Sequence, residues 1–344
     1  MNYMNPGTWQ QYVQRPEHRG VSVTLLERKY RQELFYYQMA LSEAVNNVTT
    51  TTSAASAGGG GSAPASTPSV VITDSDVLAF IAASGITDNT QKSAVNTLVT
   101  SLKGYSLWSN LNAIYPFVGG AESTHKWNLK DPRDLNAAYR LSFSGGWTHN
   151  SNGITGNATN TYADTFFSNF TTPVRALGVY TRNTTATSTG VYIGQMETLN
   201  TTDPEGTQAF SEVMIQDNGA QMSSDISQGP NTGFVNNTNK SGFYTISSGS
   251  LSTQTSTYKN GTLNSTTSVT PVANSLVDRA ITIGALRSVS STDGIFDPGS
   301  DSIVQYTNQN IAFAFIGTTF LSAAQMSNLY TAVQAYQTTL GRQV

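Results

Sequence analysis

Composition divides this chain sharply, and the division limits what it can fold into. Residues 1–46 are charged, aromatic and helical in pattern, and residues 47–69 are a Thr/Ala/Gly/Ser/Pro tract. Beyond Asp131 the sequence becomes a Ser/Thr/Asn/Gly-rich β pattern with few charges, up to one last helix. One core running through all three parts is not expected, because the middle tract carries too little apolar surface to offset its chain entropy. The layout suits a β-domain held away from something by an N-terminal attachment segment, which points to display rather than metabolism.

The chain has 344 residues, long enough to bury a core without staples. It has no cysteine, which excludes disulfides and thiolate metal sites. Charged residues make up 11% and the formal net charge is -3, with no basic stripe, so nucleic acid is not an expected partner. No run approaches about 18 apolar residues, so no membrane-spanning helix is expected either. The first twenty residues lack a basic segment followed by an apolar one and do not read as a secretory signal. Sequons such as Asn157-Ala-Thr159 suit a secreted glycoprotein, the competing reading, but chance supplies most of them in a chain so rich in Asn and Thr. A cysteine-free β-protein without an export signal suggests a particle that leaves its cell by lysis.

Tyr3, Trp9, Tyr12, Arg15 and Arg19 crowd a segment too short for a core of its own. These residue types anchor interfaces, so the segment is predicted to order on a partner; the alternative is a terminus folded back on its own domain. Thr24-Leu-Leu-Glu27 is a capping box that opens a helix running to about Val45. Leu26, Tyr30, Leu34, Tyr37 and Leu41 recur every three or four residues as one apolar stripe. The stripe predicts self-association as a trimer or dimer, against packing on the same domain. A helix of about 21 residues spans roughly 30 Å. The coil of about 20 residues after it separates its ends by roughly 25 Å.

Residues 70–118 read as a helical lead-in. Thr73-Asp-Ser-Asp76 caps one helix, Asp88-Asn-Thr-Gln91 opens a second with Ala94, Val95, Leu98, Val99 and Leu102 inside, and a third helix is expected over 107–115 before Pro116. Residues 119–344 read as strands, with candidates at 139–143, 164–167, 176–182, 190–196, 208–215, 242–247, 254–259, 280–285 and 310–316. Lys259-Asn-Gly261 signals a two-residue hairpin. Ser322-Ala-Ala-Gln325 caps a final helix that ends at Gly341. Short strands with regular turns predict a mainly β, two-sheet antiparallel sandwich.

The ordered set Gly242-Phe-Tyr-Thr-Ile, Tyr258-Lys-Asn-Gly261, Ile281-Thr-Ile-Gly-Ala285, Ala312-Phe-Ala-Phe-Ile-Gly317 and Leu321-Ser-Ala-Ala-Gln-Met326 resembles the concanavalin A-like, laminin-G-like jelly roll. Trp127-Asn-Leu-Lys-Asp-Pro-Arg133, Gly145-Gly-Trp-Thr-His149 and Tyr162-Ala-Asp-Thr165 look like versions of that domain in tailed-phage virion proteins. The likeness covers residues 70–344. It implies a virion surface protein (head fibre, tail fibre or capsid decoration) with residues 1–46 anchored on other virion proteins, and glycans as a ligand class. A receptor-binding lectin active in host attachment and a polysaccharide hydrolase are the alternatives.

Four groups of residues could carry chemistry. His18, His125 and His149 occupy different contexts without metal spacing or a cysteine partner, so neither a metal site nor a triad is expected. Glu122, Glu197, Glu205 and Glu212 lack the close spacing of a glucanase pair, so no enzyme is expected. Asp293, Asp297 and Asp301 share one loop; relatives of the sandwich hold Ca²⁺ in rim loops, but a turn-rich surface loop is the preferred reading and no cofactor is expected. Trp147 and Tyr162 are the sugar-stacking candidates, although a sandwich tryptophan more often fills the core.

Overall fold

The computed structural model describes Gln14 and residues 71–169, 173–183, 189–200, 209–217, 221–228, 233–236, 239–249, 254–268, 278–292 and 295–344. The anchor candidates Tyr3, Trp9, Tyr12, Arg15 and Arg19, the stripe Leu26, Tyr30, Leu34, Tyr37 and Leu41, and Asp293 lie outside the described residues. Ser69–Val344 forms one unit.

Helices α1 (Ser75–Ser84) and α2 (Asn89–Gly104) begin at aspartate caps. Asp74 accepts from the N–H groups of Asp76 at 3.0 Å and Val77 at 3.3 Å, and Asp88 accepts from that of Gln91 at 2.8 Å, filling donors the helix cannot. Then come β1 (Leu111–Tyr115), the short helix α3 (Glu122–His125), β2 (Ser142–Ser144), β3 (Thr148–Asn150), β4 (Gly153–Thr155), β5 (Tyr162–Ser168), β6 (Ala176–Thr181), β7 (Gly190–Asn200), β8 (Ala209–Asp217), β9 (Gln221–Gln228) and β10 (Gly233–Asn236). The chain continues through β11 (Gly242–Ser248), β12 (Gln254–Lys259), β13 (Thr262–Ser268), β14 (Ala280–Ile283), β15 (Leu286–Thr292), β16 (Ile295–Phe296), β17 (Ser302–Val304) and β18 (Asn310–Gly317) to helix α4 (Ala323–Thr339). Ser322 and Gln325 exchange bonds at the start of α4 as a capping box.

The fold is a mainly β sandwich with a third, helical layer. One sheet runs β13-β12-β11-β6-β18-β4-β3 with β1 beside β18; the other runs β10-β9-β8-β7-β14-β5-β2 with β15 beside β7. Strands β6, β11 and β18 are buried along their whole length. Their alternate residues divide between two cores. Leu177, Val179, Ile246, Ala314 and Ile316 meet the second sheet, where Tyr192, Ile193, Ile281 and Ile283 lie. Tyr180, Phe243, Phe313 and Phe315 meet the helices at Val95, Leu98, Leu102, Leu329 and Val333. The lead-in helices and α4 therefore share one core with the central sheet.

Two sequence expectations are corrected. Residues 107–115 are not a helix: Trp108–Asn110 is a single 3-10 turn, and Leu111–Tyr115 pairs antiparallel with β18, Tyr115 opposite Ala314. Leu111 and Ile114 face the helix core while Ala113 and Tyr115 face the second sheet. A five-residue strand buried on both faces shows the same apolar run as a helix, so periodicity cannot separate them. The strand expected at 139–143 starts later, because Asn136–Ala138 is a 3-10 turn and Tyr139 has φ +59°.

The Asn-Gly hairpin forms as predicted, with φ +52° at Asn260 and +71° at Gly261. A Cβ on Gly261 would sit 2.8 Å from the Tyr330 Cβ, so glycine also lets the hairpin tip lie against α4. Two buried ionic devices close the sandwich. Lys240, just before β11, reaches Asp217 at the end of β8 at 2.7 Å and ties one sheet to the other. Arg342, just past α4, is 1% exposed. Its Nε donates to Gln337 Oε1 (2.9 Å), Nη1 to the carbonyls of Phe117 (2.9 Å) and Ser151 (3.4 Å), and Nη2 to those of Pro116 and Ala312 (each 3.2 Å). Replacing it orphans several buried carbonyls, so Arg342→Met is expected to cost about 3 kcal/mol, read as a lowered urea midpoint with an unchanged m-value.

Candidate functional site at the Trp147 rim

The sequence-predicted ligand residues come together at one edge of the sandwich. Tyr162 opens β5 and pairs with Ser144 of β2. Trp147 lies in the link between β2 and β3, and its indole Nε1 donates to the Tyr162 carbonyl at 3.1 Å. The indole is half-buried; it packs edge-on to Phe143, with ring centroids 5.9 Å apart, against the inter-sheet core. Its inner edge rests on Gly284, where the chain turns with φ +88° between β14 and β15. A Cβ at Gly284 would stand 2.3 Å from the indole ring, so only glycine accommodates both the backbone and the tryptophan. Trp147 thus serves the core with one part of its ring and lines the rim with the rest.

Beside it residues 156–161 form an ordered polar loop. Asn157 Oδ1 accepts from the N–H groups of Thr159 (2.9 Å) and Asn160 (3.1 Å) and from the Thr161 hydroxyl (3.3 Å), while its Nδ2 donates to Asn160 Oδ1 (2.8 Å). Asn157, Thr159 and Asn160 are exposed. A partly exposed indole beside amides and hydroxyls held by hydrogen bonds combines an aromatic surface with polar groups, the combination suited to a polyhydroxylated ligand.

One cluster escaped sequence reasoning. His125 on α3 and His149 on β3, separated by 24 residues, point their Nδ1 atoms at each other at 3.0 Å. His125 Nε2 accepts from the Gly120 N–H at 3.2 Å, so its proton sits on Nδ1 and is donated to His149 Nδ1. That arrangement leaves His125 no lone pair for a metal. His149 then carries its proton on Nε2, a buried atom without a hydrogen-bond partner, with Phe143 edge-on at 4.7 Å. Burial, reinforced by His149 and then Arg342, pushes His125 down to about 3. Burial also lowers His149, against the pull of Glu122. Only proximity in the fold could have revealed this pair.

The remaining candidates do not converge. Asp301 pairs with Arg279 at 2.7 Å and Arg287 at 3.5 Å, and Asp297 accepts from the Thr292 hydroxyl at 3.1 Å. Among the described residues no group of three or more His, Cys, Asp or Glu could hold a metal ion. Glu197 is fully buried and accepts from the Ser291 hydroxyl at 2.8 Å, which takes it out of any cleft. Glu205 lies outside the described residues.

No protein-family model matches the sequence, and no curated protein is similar to it in sequence. Among solved structures the chain is similar to the botulinum neurotoxin serotype D binding domain (11% identity, covering 66% of this chain and 52% of that one, TM-score 0.38). It is also similar to Trypanosoma rangeli sialidase in complex with sialic acid (11% identity, 70% of this chain and 39% of that one, TM-score 0.42). The chain spans about half or less of those proteins' lengths, and at these scores the likeness carries no argument about activity.

Gly284→Ala is expected to displace Trp147. It should cost about 2 kcal/mol, from positive φ and overpacking together. Urea denaturation reads the loss, and emission at Trp147 (taken as a difference against Trp147→Phe) should shift to the red.

Proposed function

We propose that this chain is a phage virion structural protein that displays a laminin-G-like sandwich on the particle surface, as a head fibre, decoration or tail-associated fibre, and has no enzymatic activity of its own. The observation that carries the reading is the order of parts: an aromatic and apolar-striped segment, a Gly/Ser/Thr/Pro spacer, and then a compact unit, Ser69–Val344. In this reading residues 1–46 serve attachment to other virion proteins and self-association through Leu26, Tyr30, Leu34, Tyr37 and Leu41.

Sedimentation of the full chain tests it. The expected result is a trimer or dimer that Leu34→Asp with Leu41→Asp converts to monomer, while the sandwich keeps its melting temperature. A monomeric wild-type chain would refute self-association, and residues 1–46 found packed on their own sandwich with no other contact would sink the display reading.

A second reading, a lectin recognising host or environmental glycans, is favoured by one observation: the partly exposed Trp147 beside the Asn157–Thr161 hydrogen-bonded loop. On a glycan array the full chain should then bind a surface polysaccharide. Trp147→Phe, which keeps an aromatic ring but shrinks the stacking face, should weaken binding about tenfold. Silence across the array leaves display alone.

A further inference from the structure

We propose that the His125–His149 contact is an acid-opened latch: one added proton parts the two rings and frees α3 and the β3–β4 hairpin from the arginine-bound C-terminal end, while both sheets stay folded. The geometry allows the pair one shared proton. Gly120 N–H fills the lone pair of His125 Nε2, and His125 Nδ1–H fills that of His149 Nδ1. A proton arriving at His149 has nowhere to bind but Nδ1, where it meets the His125 N–H at a separation of 3.0 Å. Two donors then face each other, and the relay can be restored only by displacing the Gly120 N–H.

The surroundings do not soften that conflict. Facing the pair are Glu122 on α3, Arg342 beyond α4, and the rings of Phe117 and Phe143. Arg342 is a buried cation and repels an imidazolium at His125. Glu122 is exposed, so solvent screens its attraction for His149. His149 Nε2 is already without a partner, so the closed pair is held by a single bond on its β3 side. The same segments are gripped by Arg342 through the Phe117 carbonyl before α3 and the Ser151 carbonyl between β3 and β4. Parting the rings therefore loads those two bonds first.

The direction with pH follows from both rings being held below the ordinary imidazole value. In the opened loop each histidine titrates near 6.5, so the closed form keeps its full advantage above about pH 6.5 and loses it as pH falls. At pH 4.5 one ordinary imidazole favours the open form by about 100-fold. Hydrogen exchange on the full chain at pH 7.5 and 4.5, corrected for intrinsic rates, reads this directly. Residues 117–126 and 148–155 should lose at least about tenfold in protection at pH 4.5 while β6 and β18 keep theirs. The double variant His125→Gln with His149→Gln removes both titrating rings and should show no acid-dependent loss of protection in these segments. Equal protection at both pH values in the wild type, or the same acid loss in the double variant, would overturn the latch. Should that variant not fold, proton NMR of the wild-type histidines decides: a joint transition that coincides with the exchange change supports the latch, and independent titration near 6.5 without structural change refutes it.

Discussion

A buried guanidinium with no carboxylate partner among the described residues organises this sandwich. Taking an ion out of water costs several kcal/mol even after relaxation, and Arg342 recovers that only by filling its donors with oxygens at good distances. The oxygens come from separate places: Gln337 in α4, Ala312 in β18, Pro116 and Phe117 just after β1, and Ser151 between β3 and β4. The Tyr336 ring lies 5.4 Å from the same cation, and its hydroxyl donates to the Pro116 carbonyl at 2.6 Å. The closing helix, the fully buried strand β18 and the two segments carrying the histidines are thereby brought to one point.

From that point outward the central sheet determines where chemistry can sit. Strands β6, β11 and β18 have a helix layer on one face and a second sheet on the other, so their side chains are spent on packing. Polar groups open to a ligand are left to the edges and links. The Trp147 rim belongs there: its backbone comes from the link between β2 and β3 and from the start of β5, and its floor is the turn at Gly284. Phe143 touches both Trp147 and His149, so the rim and the histidine pair share a wall.

Much of this was legible in the residues. Aspartate caps, the Ser322/Gln325 box and the Asn260-Gly261 turn are local devices in which neighbouring residues satisfy one another, and each formed where its pattern stood. Strands β9, β13 and β15 passed unnoticed because segments such as Thr262-Leu-Asn-Ser-Thr-Thr-Ser268 carry almost no apolar alternation; their partners, more than their own side chains, make them strands. The histidine pair stayed hidden for a different reason. Its members belong to a helix and a strand, and nothing in the spacing marks them as neighbours. Trp147 and Tyr162 were singled out singly, but the bond that joins them is made by a backbone carbonyl, which no side-chain pattern reports.

The pairing of β1 with β18 carries a cost in time. Leu111 lies opposite Gly317, and β6 takes its place on the other side of β18. Much of the chain must therefore leave the ribosome before two of the innermost strands acquire the neighbour they share. Closing so long a loop is entropically slow, and the apolar flanks of β1 and β6 wait in water meanwhile. For a newly made molecule, β18 emerges long after β1 and β6 and completes the interior between them.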